Sequence, residues 1–249
     1  MKGDLMVGGW HSVAMSLKKR PDLCKEMWLL SGEATGTFKG LKTTIESAGL
    51  KPQFVDRNTL RKIYGSDSHH GVVLRRGLPQ IKKIKEWLEC LKSTVNKVPL
   101  VLVLDRVQDP RNFGACLRVA ACAGVDAVVY PNSNSASITN VVAQAASGAI
   151  DLVTLIRVSN LASALRQLSG AGIWLVGSAE EGDHDLYEVD FCLPTAIIVG
   201  NEGFGMRGLT KSLCDMTVCL PTKTSLSSLN VSSAAAVIIY EALRQRTVK

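Results

Sequence analysis

The sequence predicts an α/β protein in which a small N-terminal α/β domain precedes a larger domain built on a parallel sheet. Short runs rich in Val, Ile and Leu recur along the chain, and helical patterns closed by glycine separate most of them. Strands that alternate with helices form parallel sheets covered on both faces. The 249 residues, 46% of them hydrophobic and 20% charged, can bury the core that this fold needs, which excludes a disordered chain.

The pattern of residues 1–76 predicts the smaller domain. Apolar residues at helical spacing indicate its helices, and short apolar runs bounded by turn residues indicate its strands. The helices are expected at 9–19, 41–48 and 58–64, and the strands at 26–30, 52–56 and 70–74. Residues 77–97 follow as a linker, in which a helix carries on one face Ile81, Ile84, Leu88 and Leu91.

Residues 98–249 show the sharper alternation of the larger domain. Its strands are expected at 100–104, 127–130, 152–156, 173–176, 196–199 and 217–220, and its helices at 114–123, 138–147, 160–168 and 229–245. The last helix is apolar on every side from Ala234 to Tyr240, whereas a surface helix shows only an apolar stripe. We therefore expect it to be buried all round, inside the domain or against a second subunit, which motivates a homodimer.

The positive charge of the chain is concentrated at one end. Residues 1–97 hold 18 Lys and Arg against 9 Asp and Glu, whereas residues 98–249 hold 11 against 13. This division suggests polyanion capture by the first part, although lysines that only confer solubility would produce the same imbalance.

No apolar run is long enough to span a bilayer and no export signal is apparent. A cytoplasmic location is expected, with seven reduced, mostly buried cysteines and no metal site.

A glycine-rich cluster at 198–208 is the first candidate for chemistry. It follows a strand and contains a formal G-x-G-x-x-G through Gly203, Gly205 and Gly208, with Glu202 among the glycines. Such a loop lets a backbone approach a nucleotide closely at the edge where open α/β sheets bind ligands. A dinucleotide site also needs an acidic residue about 20 positions later, and none is present there. A nicotinamide-dependent oxidoreductase is therefore a disfavoured alternative.

Two further polar clusters each join a strand to a helix. In the cluster at 104–118, Asn112 could cap a helix, and Arg118 could form a buried ion pair or bind a phosphate. In the cluster at 220–232, Ser227 or Ser228 could cap the final helix. Asn230, expected in the first turn of that helix, is a poor helix former and requires another explanation.

In this order and spacing, the three clusters resemble the three signature motifs of the SpoU (TrmH-like) branch of the SPOUT RNA methyltransferases. Residues 7–13 and 70–73 resemble the substrate-binding domain of bacterial enzymes that methylate a guanosine of 23S ribosomal RNA. The resemblance implies a ribosomal-protein-L30e-like, RNA-binding domain at 1–76 and a SPOUT domain at 98–249. It also implies a homodimer and a trefoil knot, which is a rare exception among folds.

The resemblance further implies S-adenosyl-L-methionine as the cofactor and 2′-O-ribose methylation of RNA as the reaction, without a metal. The adenosine would lie against the backbone of Gly200, Leu220 and Leu229. The positions that match the functional residues of the family are Asn112, Arg118, Glu202, Ser228 and Asn230. The expected substrate is a guanosine of large-subunit ribosomal RNA; a transfer RNA substrate and a non-catalytic RNA-binding relative are the alternatives.

The third motif departs from the family pattern at two positions. Thr222 stands where the family usually has methionine, and Thr224 stands where it usually has glycine. Both belong to the loop expected beside the cofactor. The departures therefore bear on the geometry of that loop and on cofactor affinity, and not on the type of reaction.

Overall fold

The computed structural model describes residues 3–32, 36–94, 97–224 and 228–247. These residues form two compact units. Unit 1 consists of Met1–Pro79 and Ile138–Leu152, and unit 2 consists of Gln80–Ser137 and Val153–Lys249. Residues 138–152 were expected in the second domain, but they group with the N-terminal residues.

Both units are α/β, as predicted. The strands are β1 (Asp4–Gly8), β2 (Cys24–Leu30), β3 (Gln53–Val55), β4 (Val72–Gly77), β5 (Ile81–Lys82), β6 (Leu100–Leu104), β7 (Ala127–Pro131), β8 (Thr154–Val158), β9 (Trp174–Ser178), β10 (His184–Asp185), β11 (Thr195–Val199) and β12 (Met216–Cys219). The helices are α1 (Trp10–Lys19), α2 (Gly36–Ser47), α3 (Arg57–Tyr64), α4 (Ile84–Lys92), α5 (Pro110–Cys122), α6 (Asn140–Ala146), α7 (Leu161–Gly170), α8 (Gly208–Ser212) and α9 (Val231–Thr247).

Unit 1 contains a four-stranded sheet in the order β1-β4-β2-β3. β4 pairs antiparallel with β1 and β2, and β2 pairs parallel with β3. The sequence analysis did not predict β1, in which buried and half-buried residues alternate and the strand ends in glycine. The predicted helix 58–64 is confirmed as α3, which Asp56 caps by accepting a hydrogen bond from the Thr59 amide at 3.0 Å.

A buried ion pair lies inside unit 1. The guanidinium of Arg76 in β4 contacts the carboxylate of Asp151, and both side chains are fully buried. The Ser16 hydroxyl in α1 accepts a hydrogen bond from Arg76 Nη1 at 3.0 Å and donates one to Asp151 Oδ2 at 3.0 Å. This cluster fixes the short 3₁₀ turn Ala149–Asp151 to β4 and α1, although the two charged residues are far apart in the chain.

Unit 2 contains an eight-stranded sheet in the order β10-β12-β9-β11-β6-β7-β8-β5, and its strand pairs are parallel. The predicted parallel sheet is therefore confirmed. The prediction of one helical face through residues 81–91 is wrong at its start, because Ile81 belongs to β5 and pairs with Leu155 of β8. β10 and α8 were not predicted, since two and five residues are too few for a periodic pattern.

The C-terminal helix begins at Val231 instead of at the predicted residue 229. It packs against α5 and β11. Ile238, Ile239 and Ala242 are buried, but Tyr240 keeps 49% of its surface exposed. The first of the two expected alternatives, burial all round inside the domain, is therefore excluded, and the alternative of a second subunit stays a prediction.

The seven cysteines are free thiols, and only Cys116 is buried, so the expectation of mostly buried thiols is wrong. The described part of the chain contains no group of three or more His, Cys, Asp or Glu side chains that could hold a metal ion. Within the described ranges, no helix is both long and apolar enough to cross a lipid bilayer.

Candidate active site

The polar clusters of the sequence meet at the carboxyl edge of the sheet of unit 2. β6 and β11 are parallel neighbours whose last residues, Leu104 and Val199, pair with each other. The loops that follow the two strands therefore leave the sheet side by side. The third cluster ends at α9, which packs against α5, the helix that follows β6. The topology thus explains why three distant sequence segments form one site.

A chain of hydrogen bonds joins three of the predicted catalytic residues. Asn112 Nδ2 donates to Glu202 Oε1 at 2.7 Å. Asn230 Nδ2 donates to Asn112 Oδ1 at 3.1 Å. The two asparagine amides therefore connect the start of α5, the glycine-rich loop and the start of α9. Each amide is fixed in one orientation, because its donor and its acceptor have different partners.

Asn112 is not the cap of α5. That position belongs to Asp109, whose Oδ1 accepts from the Arg111 amide at 2.6 Å and from the Asn112 amide at 3.3 Å. The predicted helix start at 114 is therefore too late, since the helix begins at Pro110. Because Asp109 satisfies the free amides of the first turn, the side chain of Asn112 is available for Glu202 and Asn230.

Asn230 immediately precedes α9, and its side chain caps the helix. Its Oδ1 accepts from the Ser232 amide at 2.9 Å and from the Ser232 hydroxyl at 2.6 Å. Asn230 therefore precedes the first turn instead of lying inside it, and asparagine is a favoured residue at this capping position. Ser228 lies two residues before the cap and lines a cavity, and Ser227, the other proposed cap, is outside the described residues.

A second set of contacts clamps the loops after β6 and β11. The carboxylate of Asp105 is fully buried and accepts from the Arg207 amide at 3.0 Å and from Arg207 Nε at 2.8 Å. Asn201 Nδ2 donates to the Arg106 carbonyl at 3.1 Å. Asp105, Asn201 and Arg207 were not among the residues expected from the sequence. One feature of the sequence could have identified this clamp: Asp105 is a carboxylate that directly follows five consecutive apolar residues.

Gly200 is required by the path of the glycine-rich loop. Asn201 and Gly205 exchange two backbone hydrogen bonds of 2.9 Å, so the loop doubles back on itself. A Cβ atom on Gly200 would lie 2.1 Å from the backbone carbon of Gly205. The predicted G-x-G-x-x-G pattern therefore contributes to a tight reversal, and Gly205 itself adopts a φ of 62°.

Arg118 lies outside this hydrogen-bonded chain. Its side chain is exposed, so the interpretation as a buried ion pair is wrong, and no hydrogen bond or ion pair joins it to another described residue. It follows Asn112 by six positions, which turns its side chain about 120° around α5. Arg111, which the sequence analysis did not assign, is seven positions before Arg118, is exposed and shares its face of the helix.

A cavity of about 420 Å³ lies beside the glycine-rich loop. The predicted residues that line it are Gly200, Glu202, Leu220, Ser228 and Leu229. Further lining residues that the sequence analysis did not assign to the cofactor include Glu180, Glu181, Phe204, Met206, Lys211 and Thr222. Asn112 and Asn230 do not line it, but Asn112 is bonded to Glu202, which does. This volume is within the range of small-molecule sites.

The thiol of Cys116, in the same helix as Asn112 and Arg118, is inert. Burial raises the pKa of this thiol to about 12, and the negative charge of Glu202 acts in the same direction. At neutral pH this cysteine is protonated, so it cannot serve as a nucleophile.

Comparison with protein families identifies the architecture that carries this site. Residues 99–240 match the SpoU rRNA Methylase family, and residues 6–81 match the family described as RNA 2′-O ribose methyltransferase substrate binding. The chain belongs to the SpoU rRNA methylase family. The resemblance drawn from the three motifs is therefore confirmed.

Relatives of this SpoU methylase match nearly the whole chain. The 23S rRNA (guanosine-2′-O-)-methyltransferase RlmB of Ralstonia nicotianae is 40% identical over 248 residues, covering 99% of this chain and 98% of the relative. RlmB of Haemophilus influenzae is 40% identical and covers 96% of each chain. The crystal structure of the SpoU methyltransferase AviRb from Streptomyces viridochromogenes, in complex with the cofactor AdoMet, has a TM-score of 0.80 at 24% identity, covering 98% of this chain and 91% of AviRb.

The two roles of Asn230 in this SpoU methylase can be separated by substitution. Asn230→Ala removes both the helix cap and the bond to Asn112, and we expect it to lower the free energy of unfolding by about 1 kcal/mol. Asn230→Asp keeps the capping oxygen, so the free energy of unfolding should return to the parental value. It still lacks the amide donor to Asn112, so the methylation rate should be about tenfold below that of the parent in both variants. Thermal unfolding and a methylation assay measure the two effects. Parental activity in Asn230→Asp would contradict a functional role for the Asn112 bond.

Proposed function

We propose that this SpoU methylase transfers the methyl group of S-adenosyl-L-methionine to the ribose 2′-hydroxyl of a guanosine in 23S ribosomal RNA. The observation that carries the proposal is the hydrogen-bonded chain of Asn112, Glu202 and Asn230 beside the cavity. The relatives described above, which bear the name of this activity, match nearly the whole chain and support the proposal.

The cavity suits the proposed cofactor. S-adenosyl-L-methionine carries a cationic sulfonium and an ammonium group, and Glu181 and Glu202 line the cavity. Leu220 and Leu229 supply apolar surface for a purine, and the backbone at Gly200 supplies amides and carbonyls. Thr222 also lines the cavity, so its departure from the family pattern bears on cofactor affinity. When bound, the cofactor supplies an electrophilic methyl group.

The side chains of the site hold the RNA and polarise the 2′-hydroxyl, which releases its proton to water as its oxygen accepts the methyl group. Arg118 is exposed and has no acid partner in the described chain, so it can bind the target phosphate and polarise the 2′-hydroxyl. We do not assign it as the base, because a guanidinium group in a protein carries no lone pair that can readily accept a proton. Asn112, fixed by Glu202 and Asn230, orients the ribose, and Ser228 with Asn230 orients the loop and the substrate phosphate. Alignment of the 2′-oxygen is the main catalytic contribution of these residues.

The proposal includes the finer points of the fold that the resemblance implies. These are an L30e-like RNA-binding domain at 1–76, a linker at 77–97, a SPOUT domain at 98–249, a trefoil knot, a homodimer and a cytoplasmic location. The strand order supports the knot. After β11 the chain crosses β9 to form β12, and α9 then returns to pack against β11. The 49% exposure of Tyr240 supports a second subunit over α9.

Ribosomal RNA is favoured over transfer RNA as the substrate. The A. aeolicus TrmH/SpoU tRNA modifying enzyme is 27% identical to this chain with a TM-score of 0.56 and covers only 66% of it. The RlmB relatives, in contrast, match along the substrate-binding region as well as the methylase region. Phosphate contacts alone carry no sequence information, so this choice rests on the relatives and not on charge.

The activity is tested by assaying the purified protein and by mapping RNA in cells. Isothermal titration with S-adenosyl-L-methionine and with NAD distinguishes a methyltransferase from an oxidoreductase. Mapping of 2′-O-methyl groups in total RNA, with and without the gene, then identifies the substrate. Loss of one guanosine mark in 23S ribosomal RNA is the expected result. Loss of a transfer RNA mark with ribosomal RNA unchanged would overturn the substrate, and cofactor binding without any lost mark would favour a non-catalytic relative.

A basic surface of unit 1 is the proposed source of RNA affinity. Asn58, Arg61 and Lys62 of α3 line a shallow depression of about 550 Å³. Deleting residues 1–76 is a poor test, because it would remove Arg76 from the carboxylate of Asp151. Arg61→Gln combined with Lys62→Gln should instead weaken RNA binding about tenfold and leave cofactor affinity unchanged.

The matched control neutralises Lys85 of α4 and Arg166 of α7, which are exposed residues of unit 2. It removes the same number of positive charges. Fluorescence anisotropy with labelled 23S ribosomal RNA measures both double variants at several salt concentrations. Equal weakening by the two double variants would mean that the positive charge acts only through the net charge of the protein.

A further inference from the structure

Arg106 occupies the turn between β6 and α5, and neither the sequence motifs nor the proposed reaction gave it a role. Its backbone has a φ of 65°, a left-handed conformation that side chains other than glycine, asparagine and aspartate rarely adopt. The turn is held on both sides. Asn201 Nδ2 bonds the Arg106 carbonyl, and the preceding Asp105 is bound by Arg207. The backbone of Arg106, from which its side chain starts, is therefore held in place by the protein itself.

The guanidinium of Arg106 lacks a partner in the described chain. The residue is half-buried, and its Nε is buried without a hydrogen-bond acceptor. A buried donor without an acceptor is rare in native proteins, because it loses its bond to water without replacing it. The terminal Nη atoms are not buried and have no described partner, so a strained backbone and an unneutralised guanidinium at one residue indicate a ligand that binds these atoms.

The acidic residues near Arg106 in sequence and at the site are already bound elsewhere. Asp105 accepts from Arg207, Asp109 caps α5, and Glu202 accepts from Asn112. Arg106 therefore has no carboxylate of these three to neutralise it. Arg111 and Arg118 on α5 are exposed and also have no described acid partner. The turn after β6 and the exposed face of α5 thus present positive charge that no described carboxylate neutralises, which is the arrangement that binds phosphate groups.

We propose that Arg106 binds a phosphodiester group of the substrate RNA, adjacent to the ribose that is methylated, and so positions the target strand. The proposal rests on the RNA methyltransferase function stated above. It separates Arg106 from Arg118: Arg118 polarises the reacting hydroxyl, whereas Arg106 contributes binding and register along the strand. Arg106 is therefore a positioning residue whose loss acts mainly on RNA affinity.

Arg106→Gly is the sharpest test, because glycine tolerates the left-handed backbone. We expect the melting temperature to be equal to or above that of the parent, while RNA affinity falls about tenfold and the salt slope of RNA binding decreases by about 0.7 to 0.9. KM for RNA should rise by a similar factor with kcat nearly unchanged. Arg106→Lys keeps the charge but not the planar donor fork, and should recover only part of the affinity.

The control variant is Arg166→Gln on the exposed face of α7. Glycine is unsuitable at this position because it destabilises the interior of a helix. Binding is measured by fluorescence anisotropy with in vitro transcribed 23S ribosomal RNA, and cofactor affinity by isothermal titration. A variant Arg106→Gly that binds RNA like the parent overturns the proposal. A loss of S-adenosyl-L-methionine affinity with RNA binding intact also overturns it and assigns the guanidinium to the cofactor carboxylate. A parent that neither binds nor methylates RNA overturns the proposed function together with this inference.

Discussion

Arg118→Ala is expected to lower kcat for RNA methylation at least about 100-fold, because it removes the only residue assigned to polarise the 2′-hydroxyl. The affinity for S-adenosyl-L-methionine should stay within about twofold of the parent, since Arg118 does not line the cavity beside the glycine-rich loop. Stability should not change, because the side chain is exposed and no hydrogen bond joins it to another described residue. Single-turnover methylation, titration with the cofactor and thermal unfolding measure the three quantities.

Two control variants define what the Arg118 result means. Arg118→Lys retains the positive charge but loses the bidentate fork, so a partial loss of kcat is expected. Arg111→Gln removes the neighbouring guanidinium on the same face of α5 and should raise KM for RNA without a comparable loss of kcat. A parental kcat in Arg118→Ala would contradict the assigned role. An equal loss of kcat in Arg118→Ala and Arg111→Gln would mean that the loss of positive charge on this face of α5, and not the loss of Arg118 in particular, lowers the rate.

The sheet of unit 2 was predictable because its strands are buried on both faces. A strand such as β6 reads as five consecutive apolar residues, and the glycines after helices mark where each helix ends. β1 was missed because Asp4 and Gly8 at its two ends disfavour a strand and leave only three apolar residues between them. The local pattern thus detects a strand where residues typical of strands run through it, and it fails where polar residues and glycine shorten the run.

The site required information that no local pattern contains. Asn112 and Glu202 are 90 positions apart, and Asn112 and Asn230 are 118 apart, yet their side chains form one chain of hydrogen bonds. Family resemblance found these residues, whereas the clamp between Asp105 and Arg207 belongs to the same clusters and went unassigned. The helix caps were misjudged because a polar side chain at a helix start can bond either its own helix or a distant loop. Only the fold decides between these two uses.

The same limitation concealed the feature with the largest expected effect on stability, the ion pair between Arg76 and Asp151. Arg76→Met should lower the free energy of unfolding of unit 1 by about 3 to 5 kcal/mol, because it leaves a fully buried carboxylate without a counter-charge. Asp151→Leu should have an effect of similar size for the converse reason. Hydrogen exchange of the β4 amides measures this loss within unit 1, whereas global unfolding combines both units.

The double variant, Arg76→Met with Asp151→Leu, distinguishes an unpaired charge from poor packing. The pair is incompletely satisfied, since Arg76 Nη2 and Asp151 Oδ1 have no hydrogen-bond partner among the described residues. Replacing both charges with apolar groups of similar volume removes their desolvation cost, so the double variant should be more stable than either single variant. Ser16 would lose both of its partners, which limits the recovery. Equal losses in the single and double variants would mean that shape, and not charge, dominates at this position.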